Sequence, residues 1–225
     1  MAMFNPCDSR ISIIAHDVGR SRDRSTAVVG GHSPPFLGSQ LLVKEFTELP
    51  LGLYGSALAN QLAAVDQKYN RDCVIIADLT NDATYGETLF DTFGRRVIGV
   101  QIGTSGDGTT CEQRRVRNGV IPVYKVSRTF LFELLLAQWR EDRIHFADSA
   151  DSRRTFAQLA ALECEQRPNS IIYKCPSGQH DDLAMSLAML NWAAQHLDLD
   201  WWMRPIFDAH RPRRPRQSIS RLAWT

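Results

Sequence analysis

Four carboxylates stand where folding could bring them together. Asp17 closes the apolar run "ISIIAH", Asp78 closes "CVIIA", and Asp181 and Asp182 open the apolar stretch "LAMSLAML". A carboxylate at the end of a buried strand loses hydration unless it is paired or bound to a cation. Three or four of them meeting in one cleft repel one another, and hard divalent cations relieve that repulsion. An oxygen-only donor set suits Mg²⁺ or Mn²⁺, whereas Zn²⁺ calls for His or Cys at tighter spacing. Each residue also has a plainer explanation. A strand-ending Asp commonly starts a turn through an Asx hydrogen bond. An Asp ahead of a helix caps it and complements its dipole, which is the better reading of Asp181 and Asp182 taken alone. His16 and His180 are equally explained as polar residues at element ends.

Convergence requires elements that deliver Asp17 and Asp78 to one edge of a sheet. Apolar, β-branched runs predict strands at 11–18, 25–31 and 41–48, joined by short links as an antiparallel meander. Apolar residues near a 3.6 period predict a helix over 53–69. The near-continuous apolar run 73–79 reads as a buried strand, followed by a helix at 86–94 and a strand at 96–102. Residues 103–119 hold four glycines and three arginines and read as a mobile loop near the functional face. Helices follow at 126–142, 151–166 and 181–197, with short strands at 143–147 and 170–176. This order predicts an α/β fold, a mixed sheet with helices on both faces, as in the ribonuclease H-like architecture. If the strands ending in Asp17 and Asp78 are parallel neighbours, both carboxylates emerge at the edge where open α/β sheets keep their ligands.

Length and composition set the frame. At 225 residues the chain fits one sizeable domain, 10–199, with an N-terminal extension over 1–9 and a Pro/Arg/Trp-rich C-terminal tail over 200–225. No apolar run reaches the roughly 18 residues that span a bilayer, so no membrane role is expected. Five scattered cysteines without a C-x-x-C pattern suggest reduced thiols in a cytoplasmic setting. The net charge of +1 points to no polyanion by itself. Only four of the 26 basic residues are lysines, however, and arginine forks match phosphate oxygens. A GC-rich genome produces the same bias.

Three segments then resemble a known family. "IAHDVGRSRDRSTAVVGG", "VIIADLTNDATYGETLFD" and "GQHDDLAMSLAMLNWA" are similar to the three acidic motifs of the nuclease domain of phage terminase large subunits. "GVIPVYKVSRTFLFELLLAQWREDRIHFA" resembles the strand, helix and short strand that precede the last motif. The likeness runs from about residue 10 to 197 and is loosest at the second motif, where "LTNDATYG" replaces a Gly-rich stretch. It implies a metal-dependent endonuclease that cuts double-stranded, concatemeric viral DNA during genome packaging. Two Mg²⁺ or Mn²⁺ ions would be held by Asp17, shared between them, with Asp78 on one and the Asp181–Asp182 pair on the other; the resemblance leaves open which of that pair, both candidate ligands, binds directly and which caps the helix or acts through water. His180 would be an accessory group, and Asp23 and Asp82 lesser acidic positions. Arg20, Arg22, Arg114, Arg115, Arg117 and Lys125 are candidate DNA phosphate contacts.

The family's packaging ATPase has no counterpart in this sequence, because no G-x-x-x-x-G-K-[ST] is present. The expected partners are therefore DNA, a portal, a small terminase subunit and a separate or missing ATPase, in the host cytoplasm of a phage or prophage system. A Holliday-junction resolvase of the same superfamily and a non-cutting, terminase-derived assembly module are the alternatives.

Overall fold

A computed structural model describes residues 11–19, 24–32, 40–167, 170–177, 179–199 and 202–203. The N-terminal extension, Arg20, Arg22, Asp23 and nearly all of the C-terminal tail lie outside these described residues.

Eight strands form one mixed sheet in the order β6-β7-β5-β4-β1-β2-β3-β8. The strands are β1 Ile13–Asp17, β2 Thr26–His32, β3 Leu41–Glu48, β4 Val74–Asp78, β5 Val97–Gly103, β6 Asp107–Val116, β7 Gly119–Ser127 and β8 Ile144–Phe146. The first three make the expected antiparallel meander. β4, β5 and β7 then run parallel to β1, so the carboxyl ends of all four share one edge. The helices are α1 Gly55–Gln67, α2 Ala83–Phe93, α3 Arg128–Arg140, α4 Ala150–Ala161 and α5 Asp182–His196.

Strand alternation sorts the side chains into two cores. Ile13, Ala15, Val74 and Ile76 face a layer that includes α3 and α5, whereas Ile14, Ile75 and Ala77 face α1 and α2. The period of two therefore also assigns Asp17 and Asp78 to the α5 side. α5 is buried along its whole middle, Leu183 to Ala193, which is why its sequence is apolar on every face. No helix among the described residues is long and apolar enough to cross a membrane.

Three expectations need correction. The segment 103–119 is mostly strand: β6 pairs antiparallel with β7 as the sheet's edge. Most of its residues are exposed, so it carries no apolar alternation to betray it. It also needs glycine, since Gly108 has φ +79 and a Cβ there would lie 2.2 Å from Trp192 Nε1. The helix expected over 151–166 stops at Ala161, and "ECEQR" becomes β9 (Glu163–Arg167), paired with β10 (Ser170–Lys174) in a separate hairpin. α2 begins earlier than expected because Asp82 caps it, accepting bonds from the Thr84 and Tyr85 N–H groups at 3.0 Å.

Candidate active site

β1 and β4 are parallel neighbours in a register that places Asp17 and Asp78 at the ends of adjacent strands. α5 packs across that end. Its first turn is tied down by hydroxyls that the sequence reading did not single out. Thr26 Oγ1 donates to the Asp182 carbonyl at 2.9 Å and lies 2.8 Å from Ser186 Oγ. Ser186 Oγ in turn accepts the Asp17 N–H at 3.1 Å. Ser186 is one helical turn beyond Asp182, on the same face. The two hydroxyls thus lace the start of α5 to β1 and β2, and they set Asp182 beside Asp17.

The electrostatics agree with that placement. Burial pushes the Asp17 carboxyl well above the ordinary carboxylate range, and the neighbouring Asp78 and Asp182 charges push it further the same way. Arg128 and the Val18 N–H oppose the shift. Asp78 also makes the expected Asx turn: its Oδ1 accepts the Thr80 N–H at 2.8 Å and the Thr80 hydroxyl. Thr80 Oγ1 accepts the Ile102 N–H at 2.7 Å, which fixes the Asp78 turn against β5.

The adjacent aspartates part company. Asp181 occupies the N-cap position of α5, yet its side chain makes no capping bond. Its Oδ2 is paired instead with Arg128 Nη2. Gln158 Oε1, from α4, accepts the Ala184 N–H at 3.1 Å and takes over part of the cap. Capping, the favoured reading of this pair in isolation, is therefore not what the Asp181 side chain does.

Behind Asp17, His16 is fully buried. Its Nδ1 donates to the Thr26 carbonyl at 2.9 Å, so Nε2 is the acceptor for the Tyr85 hydroxyl at 3.1 Å. Burial lowers the imidazole from 6.5 to about 4, with the Thr26 bond opposing. The ring is a neutral brace for the end of β1.

An oxygen-only, mutually repelling group at the carboxyl edge is chemistry that Mg²⁺ or Mn²⁺ would complement. Among the described residues no three His, Cys, Asp or Glu side chains form a closed cation cage. Asp78 and Asp182 each lie close enough for Asp17 to feel their charge, without the three closing on a common point.

Beside Asp182 opens a cleft of about 390 Å³, lined among others by Arg24, Thr26, Arg154, Gln158 and His180. Neither Arg24 nor Arg154 was a candidate. Both lean on Glu48, at 3.9 and 2.5 Å. His180 is exposed at this rim. Among the expected phosphate contacts, Lys125 lies at the right edge, one residue beyond the level of Asp78, and is paired with Glu112. Arg114 and Arg115 sit opposite Ile121 and Val120, and Arg117 lies in the β6–β7 turn. Those three are displaced toward the other end of the sheet, away from the carboxylates.

Comparisons with protein-family models and with curated proteins yield no match. Solved structures do match. The large terminase nuclease of thermophilic phage G20c superimposes with TM-score 0.57 at 16% identity, over 84% of this chain and 86% of that one. The nuclease domain of the large terminase subunit gp2 of bacterial virus Sf6 gives TM-score 0.57 at 13% identity, over 81% and 88%. The human cytomegalovirus terminase nuclease domain, solved Mn-soaked and inhibitor-bound, gives 0.51 at 9%, over 83% and 84%. At these identities the likeness establishes the fold: an α/β, ribonuclease H-like sheet of the kind found in terminase large-subunit nuclease domains.

Proposed function

We propose that this chain is a metal-dependent endonuclease of the terminase large-subunit type, hydrolysing double-stranded viral DNA during genome packaging. The observation that carries the reading is the meeting of Asp17, Asp78 and Asp182 at the carboxyl edge of a terminase-nuclease fold, close enough for two of them to raise the third. Such self-repulsion costs stability in a folded protein and is characteristic of sites that hold cations or reacting groups.

In this reading Asp17, Asp78 and Asp182 would hold Mg²⁺ or Mn²⁺. When bound, the ions supply the Lewis acidity needed to hydrolyse a phosphodiester. The chain supplies the geometry. Thr80 fixes one oxygen of Asp78, and Thr26 and Ser186 fix the approach of α5. His16 and Tyr85 stiffen the strand beneath Asp17. The cleft beside Asp182 offers a path for one DNA strand, with Arg24 and Arg154 placed for backbone phosphates and His180 at the rim. Phosphate contacts of this kind position a duplex without reading its sequence. Lys125 belongs to the same edge. A portal, a small terminase subunit and a packaging ATPase are the partners this role requires.

Purified protein incubated with supercoiled plasmid and Mn²⁺ tests the reading. Wild type should nick and linearise the plasmid, and Asp17→Ala, Asp78→Ala and Asp182→Ala should each leave it intact. Equal activity in all four proteins overturns the assignment. An intact plasmid with wild type points to a non-cutting module, and preferential cutting of a four-way junction points to a resolvase.

A further inference from the structure

We propose that Arg128 is a positioning residue that parts the two adjacent aspartates, holding Asp181 aside so that Asp182 alone serves the metal site. The inference rests on the nuclease reading of that site. Arg128 is the first residue of α3, immediately after β7, and so emerges at the same sheet edge as Asp17 and Asp78. Three contacts fix its guanidinium. Nη2 pairs with Asp181 Oδ2, Nε donates to the Tyr173 carbonyl at 2.9 Å, and the planar group lies over the Phe132 ring, 5.0 Å from its centroid. A fork held on three sides has little freedom, so the carboxylate it grips is equally fixed.

The consequences at α5 are on the same side chains. Asp181 fills the N-cap position without capping, and Gln158 supplies a cap bond from α4 instead. Asp182, one residue on, has its backbone anchored by Thr26. Two neighbouring carboxylates have thus been given different partners. Asp181 is gripped directly by Arg128, whose charge also reaches Asp17 and Asp182, and Asp182 is set beside Asp17. An extra free carboxylate at the site would tighten cation binding and change where the ion settles, so keeping Asp181 occupied favours a defined geometry over maximal affinity.

The test compares Mn²⁺ binding, by electron paramagnetic resonance without DNA, with thermal unfolding in EDTA. Asp182→Asn should weaken Mn²⁺ binding by about tenfold or more, and Asp181→Asn by less than about threefold, the scale expected when the charge removed is already ion-paired with Arg128. Arg128→Gln should tighten Mn²⁺ binding roughly fivefold, because it removes a nearby cation and releases a carboxylate. Adding Asp181→Asn to Arg128→Gln should cancel most of that gain. In EDTA the melting-temperature losses of the two single variants should not add in the double variant, as expected of a contacting pair. The proposal is overturned if Asp181→Asn weakens Mn²⁺ binding as much as Asp182→Asn, or if the two losses in EDTA simply add. Failure of the underlying nuclease reading looks different: Asp17→Asn would then bind Mn²⁺ as well as wild type.

Discussion

The head of β4 is held by a buried ion pair whose removal has a calculable cost. Asp66 on α1 and Arg96 ahead of β5 are paired through two bonds, Nη2 to Oδ2 at 2.8 Å and Nη1 to Oδ1 at 3.0 Å. Both also grip Cys73, the residue before β4: Asp66 Oδ1 accepts its N–H at 3.1 Å, and Arg96 Nη1 donates to its carbonyl at 2.8 Å. The side chains are only 3% and 13% exposed, so a lost partner leaves the other largely out of water. Arg96→Met leaves a buried carboxylate with the Cys73 N–H and no counter-charge, a loss of about 3–5 kcal/mol. An unfolding entropy of about 2.1 cal/mol/K per residue converts that loss to a fall of ~6–11 °C in melting temperature for a chain of this size. The double variant Asp66→Asn/Arg96→Met restores neutrality while the amide oxygen still accepts from Cys73, and should recover most of the loss. Calorimetry in EDTA, with urea unfolding as a second measure, reads both. A single-variant cost below about 1 kcal/mol, or a double variant as damaged as the single, refutes the argument. Because the clamp sits at the opposite end of β4 from Asp78, nicking per folded molecule should be unchanged in Arg96→Met.

Three further outcomes follow from the site. Asp17→Asn should raise the melting temperature in EDTA by removing a buried charge and with it the repulsion from Asp78 and Asp182. It should also lose the Mn²⁺ stabilisation of wild type, about 2.7 kcal/mol at a hundredfold excess over Kd. Because the folded Asp17 carboxyl is raised, its protonated form favours folding. The Asp17→Asn advantage should therefore be largest at high pH and close as pH falls into the ordinary carboxylate range; a pH-independent difference sinks this account. For His16 the sign is opposite: the ring stays neutral in the fold, so stability present above pH 6.5 is lost as pH falls towards about 4. That loss is roughly 3 kcal/mol, and His16→Gln should flatten the melting-temperature profile across that window. Ser186→Ala removes the acceptor for the Asp17 N–H and should cost about 1–2 kcal/mol. Turnover should fall with it, since Asp182 loses a tether to Asp17; undiminished nicking would separate the tether from catalysis.

Much of this arrangement is legible one residue at a time. Apolar runs with period two and helices with period 3.6 are imposed by burial, and burial is written in side-chain type. The meander, the buried β4 and the all-apolar α5 were therefore readable, as was the placing of Asp17 and Asp78 at strand ends. Where burial gives no signal, sequence gave none either. β6 is an exposed edge strand, and only pairing with β7 makes it a strand at all. "ECEQR" has side chains that suit a helix, and pairing with β10 overrides them. Asp181 and Asp182 are chemically identical neighbours, so nothing local divides their roles. The division comes from Arg128 on α3, 53 positions away, and from Thr26 on β2, 156 positions away. Arg114, Arg115 and Arg117 looked like phosphate contacts by composition, and strand register carried them from the carboxylate edge. Arg24 and Arg154, unremarkable in sequence, meet at the cleft because separate elements converge there. The chain alone set which residues could ionise, and the packed sheet decided which ionised groups face one another.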